Sequence, residues 1–258
     1  MIALFIALLF NNAFVIFNFF SRINAIQTKK WALSNAVFQI IYIAPKFLAL
    51  IIIPLIVYNG ENLIAKHESF KPLFYHFLIV SEIIGLWIGI INLKYFLASF
   101  KKIVMRENNS LAIIDFINLY IFTFFKFNFN FFKKKSLSDI FSIKNYTLFF
   151  HNVLIGFLFS ISIPLLMSLS ISIKEYRATF VALIPIIGGT AFTLMTYFVE
   201  PKIGYFTDMV YENKGSIKEL YITLFDCMKG KMFGCIIALL TLQNITKTLE
   251  ILFLKFTS

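Results

Sequence analysis

Charge is scarce in this chain: 14% of its 258 residues are Asp, Glu, Lys or Arg, where a soluble domain carries about 25%. That scarcity excludes a soluble enzyme before any motif is read. Ten Gly and six Pro are too few to punctuate a loop-rich fold. The two cysteines, Cys227 and Cys235, have no Cys or His at metal spacing, which removes both a zinc site and a disulfide framework. His67, His76 and His151 are scattered, and neither H-E-x-x-H nor G-x-S-x-G occurs. The G-x-x-x-x-G-K-[ST] loop is missing too, and with it ATP binding of the P-loop kind. No catalytic residue, metal or cofactor is expected, and the chain reads as a non-enzyme.

What the chain does hold is hydrocarbon, with 59% hydrophobic residues and 34 Phe. A bilayer crossing needs about 20 apolar residues. Runs of that kind lie at 2–20, 32–58, 73–99, 147–173, 178–199 and 232–254. The expectation is an all-α, polytopic membrane bundle of six helices in one domain, 1–258. The first run has no basic n-region and no small-residue cleavage site, so it reads as a retained helix.

The formal charge of +11 could elsewhere mean nucleic acid, but here the cations stand between apolar runs. The first, third and fifth connections carry three, eight and five Lys and Arg, and the second and fourth carry two each. The positive-inside rule therefore puts the odd connections in the cytoplasm and both termini outside, with anionic lipid headgroups as partners and no nucleic acid. Segment 111–132 is apolar enough to pass for a further span. Its polar residues Asp115, Asn118, Lys126, Asn130 and Lys133 recur at spacings of three, four or eight, one narrow helical stripe. It reads as an amphipathic helix on the cytoplasmic interface, flanked by lysines.

Inside a span, an ionisable side chain costs about 3 kcal/mol on insertion scales and marks function by default. Lys46 and Glu82 fall well within apolar runs on adjacent helices. They serve either as a pair that neutralises itself and fixes helix register, or with Lys46 holding an anionic substrate that Glu82 tunes. Pro45 and Pro54 each remove a backbone donor from the second span, which should kink or break it, and Pro164 and Pro185 act likewise in the fourth and fifth. The pairs Gly85 and Gly89, and Gly230 and Gly234, are G-x-x-x-G spacings that let helix backbones approach.

One stretch is more specific. From His151 onward the chain carries Asn152 opening a helix, Glu175-Tyr176-Arg177-Ala178-Thr179 in a short turn, and Phe198-Val199-Glu200-Pro201-Lys202-Ile203 followed by Thr207-Asp208. A basic, small-residue start to the last helix follows at Lys231 to Gly234. With Ser21-Arg22-Ile23 and the spacing of Lys46 to Pro54, this pattern resembles the Amj family of lipid II flippases, alternates to MurJ and unrelated to it in fold. Two departures stand out: Glu82 replaces a small or polar residue, and Glu200 replaces a common Asp.

The resemblance implies transport of lipid II, an undecaprenyl pyrophosphate bearing sugars and peptide, across the bacterial cytoplasmic membrane without ATP hydrolysis. Moving that anion unaided would cost on the order of tens of kcal/mol, so a hydrated, cation-lined cavity is expected. Arg22, Lys46, Arg177 and Lys202 are then the expected pyrophosphate cations, with Glu82 completing the substrate-binding set. Pro45, Pro54, Glu200, Pro201 and Asp208 are expected in gating. The competing expectation is a non-transporting subunit of an export or envelope-assembly complex; an intramembrane enzyme acting on a lipid phosphate ranks last.

Overall fold

The computed structural model describes residues 2–30, 71–105 and 142–257, and, between the first two stretches, residues 32–34, 36, 39, 43, 47, 51, 52, 54–56 and 58. All regular structure among them is helical. The helices are α1 (Ile2–Thr28), α2 (Lys71–Met105), α3 (Tyr146–Ser172), α4 (Arg177–Leu194), α5 (Glu200–Tyr211) and α6 (Ile217–Thr257). A π-helical turn, Met195–Val199, fuses α4 and α5 into one rod. Among the described residues five stretches are long and apolar enough to cross a membrane: Phe5–Thr28, Phe74–Met105, Tyr146–Ser172, Arg177–Tyr211 and Ile217–Lys255. The protein is thus a polytopic helical membrane protein. The described residues of 32–58 are helical, whereas Pro45, Lys46 and the expected interfacial helix at 111–132 lie outside the described residues.

Glycine sets the closest packing. A methyl group on Gly85 of α2 would stand 2.8 Å from the Leu9 carbonyl oxygen of α1, and one on Gly89 2.8 Å from the Ile16 side chain. Asn24 of α1 donates to the Leu97 carbonyl at 3.0 Å. These contacts advance together along both chains, so α1 and α2 are parallel. In the same way Gly230 of α6 meets Asn152 of α3, Gly234 meets Phe157, and Ser160 donates to the Cys235 thiol at 3.0 Å. α3 and α6 are therefore parallel as well. Phe20 of α1 packs on Tyr221 and Phe225 at the start of α6, with ring centroids 5.2 Å apart in both cases. The α1/α2 pair consequently runs opposite to the α3/α6 pair.

Two apolar clusters fill the bundle. One, around Phe17, Phe20, Phe96, Phe100, Ile203 and Leu224, lies at the end where α1 and α2 finish and α3 and α6 begin. The other, around Phe74, Tyr75, Leu165, Leu169, Phe180 and Leu242, lies at the opposite end. Glu82, between Ile79 and Leu86, and Ser160, between Ile155 and Ile161, mark the level where one gives way to the other.

Several helix ends differ from the hydropathy boundaries. α1 runs on to Thr28, so Arg22, expected in the first connection, is helical; Ile23 and Ile26 are buried there, and Lys29 caps the helix at φ 54°. α6 starts at Ile217 rather than near 232, because Leu220, Leu224 and Met228 recur on one buried face. Lys229 and Lys231, expected in the fifth connection, are thus on α6, and Lys231 is buried. α3 opens on Asn145, whose side chain accepts from the Leu148 N–H at 3.2 Å; Asn152 lies two turns further in. Asp226 of α6, fully buried, fixes that start by accepting the Lys144 and Asn145 amides at 2.9 Å each and the Lys229 ammonium at 3.1 Å. α3 and α4 run on through Pro164 and Pro185 instead of breaking.

Candidate functional site

The C-terminal half of α1 lies beside the second half of the rod. Asn18, Ser21, Arg22 and Ala25 sit at i, i+3, i+4 and i+7 and share one face of α1. Thr196, Glu200, Gly204 and Asp208 follow at every fourth residue of the rod. Between these stripes is a cavity of about 400 Å³, closed on a third side by Ser34 and Gln39. Arg22 donates to the Glu200 carboxylate across it, and both side chains are partly exposed.

The rod is shaped for this by its proline. Pro201 has no N–H to give the Tyr197 carbonyl, and its ring would crowd that oxygen in a regular α-helix. The turn widens instead, and the Glu200 N–H reaches the Met195 carbonyl five residues back. Glu200 thus emerges beside a local irregularity, and His151 of α3 stacks on Phe198 at 5.1 Å to hold the widened turn in place. Ser21, Thr196 and Thr207 bond to carbonyls of their own helices at 2.8, 3.0 and 2.7 Å. The Asn18 Oδ1 is buried and has no partner among the described residues.

The structure gathers some expected residues and separates others. Arg22, Glu200 and Asp208 meet at the cavity. Lys202, one residue past Pro201, is exposed on α5 and does not line it. Arg177 lies 23 residues before Glu200 along the rod, hence about 35 Å away at 1.5 Å per residue, at the other end of the bundle. Pro54 is helical and exposed. Glu82 stands apart from the cavity. It lies near Ser160 of α3 and Lys231 of α6, whose ammonium is 5.7 Å from the Phe159 ring centroid. The expected cation lining is, among the described residues, one guanidinium and two carboxylates.

Sequence reading passed over Asn18 and the Thr196 stripe, and took Lys231 only as the basic start of the last helix. The fourfold spacing from Thr196 through Gly204 to Asp208 was the available signal. The hydropathy boundary places Lys231 in a connection, so nothing in residue order set it beside Glu82.

The chemistry this arrangement offers is reversible anion capture. A partly exposed ion pair is worth at most about 1 kcal/mol, and an anion carrying more than one charge attracts the guanidinium more strongly than a carboxylate does. An anion with two oxygens in reach of Arg22 can therefore displace Glu200. No curated protein and no solved structure matches the chain. The family described as Alternate to MurJ matches residues 11–252, nearly the whole length and both faces of the cavity. The chain belongs to the Amj family.

Proposed function

We propose that this protein is a flippase that carries lipid II from the inner to the outer leaflet of the bacterial cytoplasmic membrane, with its pyrophosphate entering the cavity at Arg22. The observation that carries the reading is the pairing of Arg22 with Glu200 at a cavity also lined by Asn18, Ser21, Thr196, Thr207 and Asp208. The ends of α1, α2 and the rod, and the starts of α3 and α6, lie together with Lys29, Lys30, Lys101, Lys102, Lys144, Lys214 and Lys218. The positive-inside rule makes this the cytoplasmic end, where lipid II is made. The polyprenyl chain stays in lipid while the head group crosses. An inside-negative potential favours outward movement of an anion by about 2.3 kcal/mol per charge per 100 mV, so no nucleotide is needed. Lys46, Arg177 and Lys202 serve as further cations along the path, and Glu200, Pro201 and Asp208 form its inner gate.

The test is depletion of a cell's resident lipid II flippase in the presence of this protein or its Arg22→Ala variant, with lipid II at the outer surface as the readout. Surface lipid II is expected to persist with the natural chain. It should fall at least tenfold with Arg22→Ala at equal membrane levels of protein. Collapse in both cases overturns the proposal.

A further inference from the structure

The two glycine contacts are one contact made twice. Gly85 packs on the Leu9 carbonyl and the Asn12 Cβ, and Gly230 on the Phe149 carbonyl and the Asn152 Cβ. Gly89 then meets Ala13 and Ile16, as Gly234 meets Val153 and Gly156. In each case the seat is an Asn with the residues three before, one after and four after it, and the two seats are 140 residues apart in sequence. Asn12 and Asn152 even dispose of their amides alike, donating to the carbonyls of Leu8 at 3.0 Å and Leu148 at 2.8 Å. Each half thus has a third helix bearing G-x-x-x-G laid parallel on a first helix bearing Asn, and the halves run in opposite senses. Inverted repeats of this kind place transport sites near the membrane midplane, where the repeats meet.

The charges break the symmetry at that meeting. The residue after Gly230 is Lys231, and the residue after Gly85 is Leu86; the carboxylate of Glu82 has Cys227 as its counterpart. One half therefore supplies the acid and the other the base. Ser160 of α3, near Glu82 and donating to Cys235, is one residue from the middle of its helix. Within a half, backbone lies on backbone. Across the seam the contacts are between side chains, Arg22 with Glu200 and Phe20 with Tyr221 and Phe225 at the cytoplasmic end, while Glu82 and Lys231 stand near each other at mid-depth. A seam held by side chains between two backbone-locked bodies is where the molecule can open.

We infer that the α1/α2 pair and the α3/α6 pair are the cores of two inverted repeats that rock against each other along this seam, and that Lys231, moved away from Glu82 when it opens, is the mid-membrane cation for the travelling phosphate. The inference rests on the transport reading for its substrate, but the motion can be read without lipid II. In a Cys227→Ala, Cys235→Ala background, Ser160→Cys reports on the seam through reaction with a membrane-impermeant methanethiosulfonate applied to one face at a time. Phe20→Cys with Tyr221→Cys, oxidised to a disulfide, ties the seam at its cytoplasmic end. Phe17→Cys with Phe96→Cys, whose parent rings stack at 4.4 Å within one repeat, is the control.

The expected result is reaction at position 160 from both faces, at least tenfold loss of cytoplasmic reaction with the seam disulfide, recovery on reduction, and no change with the control disulfide. Equal reaction with and without the seam disulfide, or none from either face, overturns the joint. Should the alanine background fail to fold, Cys227→Ser and Cys235→Ser replaces it, and melting temperature decides which is used. For the cation, Lys231→Met should lower surface lipid II at least tenfold and Lys231→Arg should restore it; normal transport by Lys231→Met overturns that role. If position 160 alternates and lipid II does not move in any variant, the joint stands, and the lipid II reading fails together with the role given to Lys231.

Discussion

Glycine does opposite things in α6 and in the 177–211 rod. At Gly230 and Gly234 it lets two helix backbones touch, and a methyl group at Gly234 would fall within 2.6 Å of the Phe157 amide nitrogen. At Gly188, Gly189 and Gly204 a methyl group would meet nothing within 4 Å. The α3/α6 pair is a scaffold whose geometry is fixed by contact. The rod, with Val181, Ile186, Phe192, Tyr197 and Tyr205 exposed along it, is a lightly held element bent around a proline turn. The cavity forms where the rod passes α1, away from the α3/α6 contact. Precision in one region frees the other to carry an irregular backbone and exchangeable charges.

Substitutions can sharpen or break this contrast. The largest effect is expected from Gly234→Val: overpacking costs about 1–3 kcal/mol or more where backbone cannot yield. Folded protein should be lost by size-exclusion chromatography in detergent; a monodisperse variant would show that the pair is not rigid. Asp226→Asn comes next. It weakens a buried charged acceptor of two amides and an ammonium, at a cost of about 1.5–3 kcal/mol, and should lower the melting temperature without reducing transport in the molecules that remain folded. Gly204→Phe should do the reverse. Its ring enters the cavity with no clash to relieve, so the melting temperature holds while surface lipid II falls severalfold. The smallest effect belongs to Gly188→Ala, expected within about 1 kcal/mol and on the stabilising side, since alanine is the better helix former. A marked loss of stability there would mean that the rod is packed as tightly as α6.

The membrane class, the helical fold and the clustering of cations at one end were all legible in residue order, because hydropathy and charge act locally and additively. Arg22, Glu200 and Asp208 were legible individually, and their meeting was not. Two of them are on one helix and the third is 178 positions away, and only packing brings such groups together. Hydropathy also misplaced the helix ends. It reports where apolar composition stops, whereas α6 continues through an amphipathic segment held by Leu220, Leu224 and the Asp226 clamp. Glu82 was picked out correctly as an ionisable residue in a span and paired on paper with the nearest intramembrane cation in sequence. Lys46 lies outside the described residues; Lys231 stands near Glu82 because α2 and α6 meet across the seam between the two pairs.

That parallel arrangement also fixes a timetable. The helix on which each G-x-x-x-G must close is made first, and its partner is made third. About 60 residues separate the end of α1 from Gly89. At roughly 5–20 residues per second of synthesis, α1 waits some 3–12 s in the membrane with the seat beside Asn12 unfilled. The same delay recurs for α3, so the second seat, and the seam between the two pairs, can be complete only after the ribosome has passed Gly234.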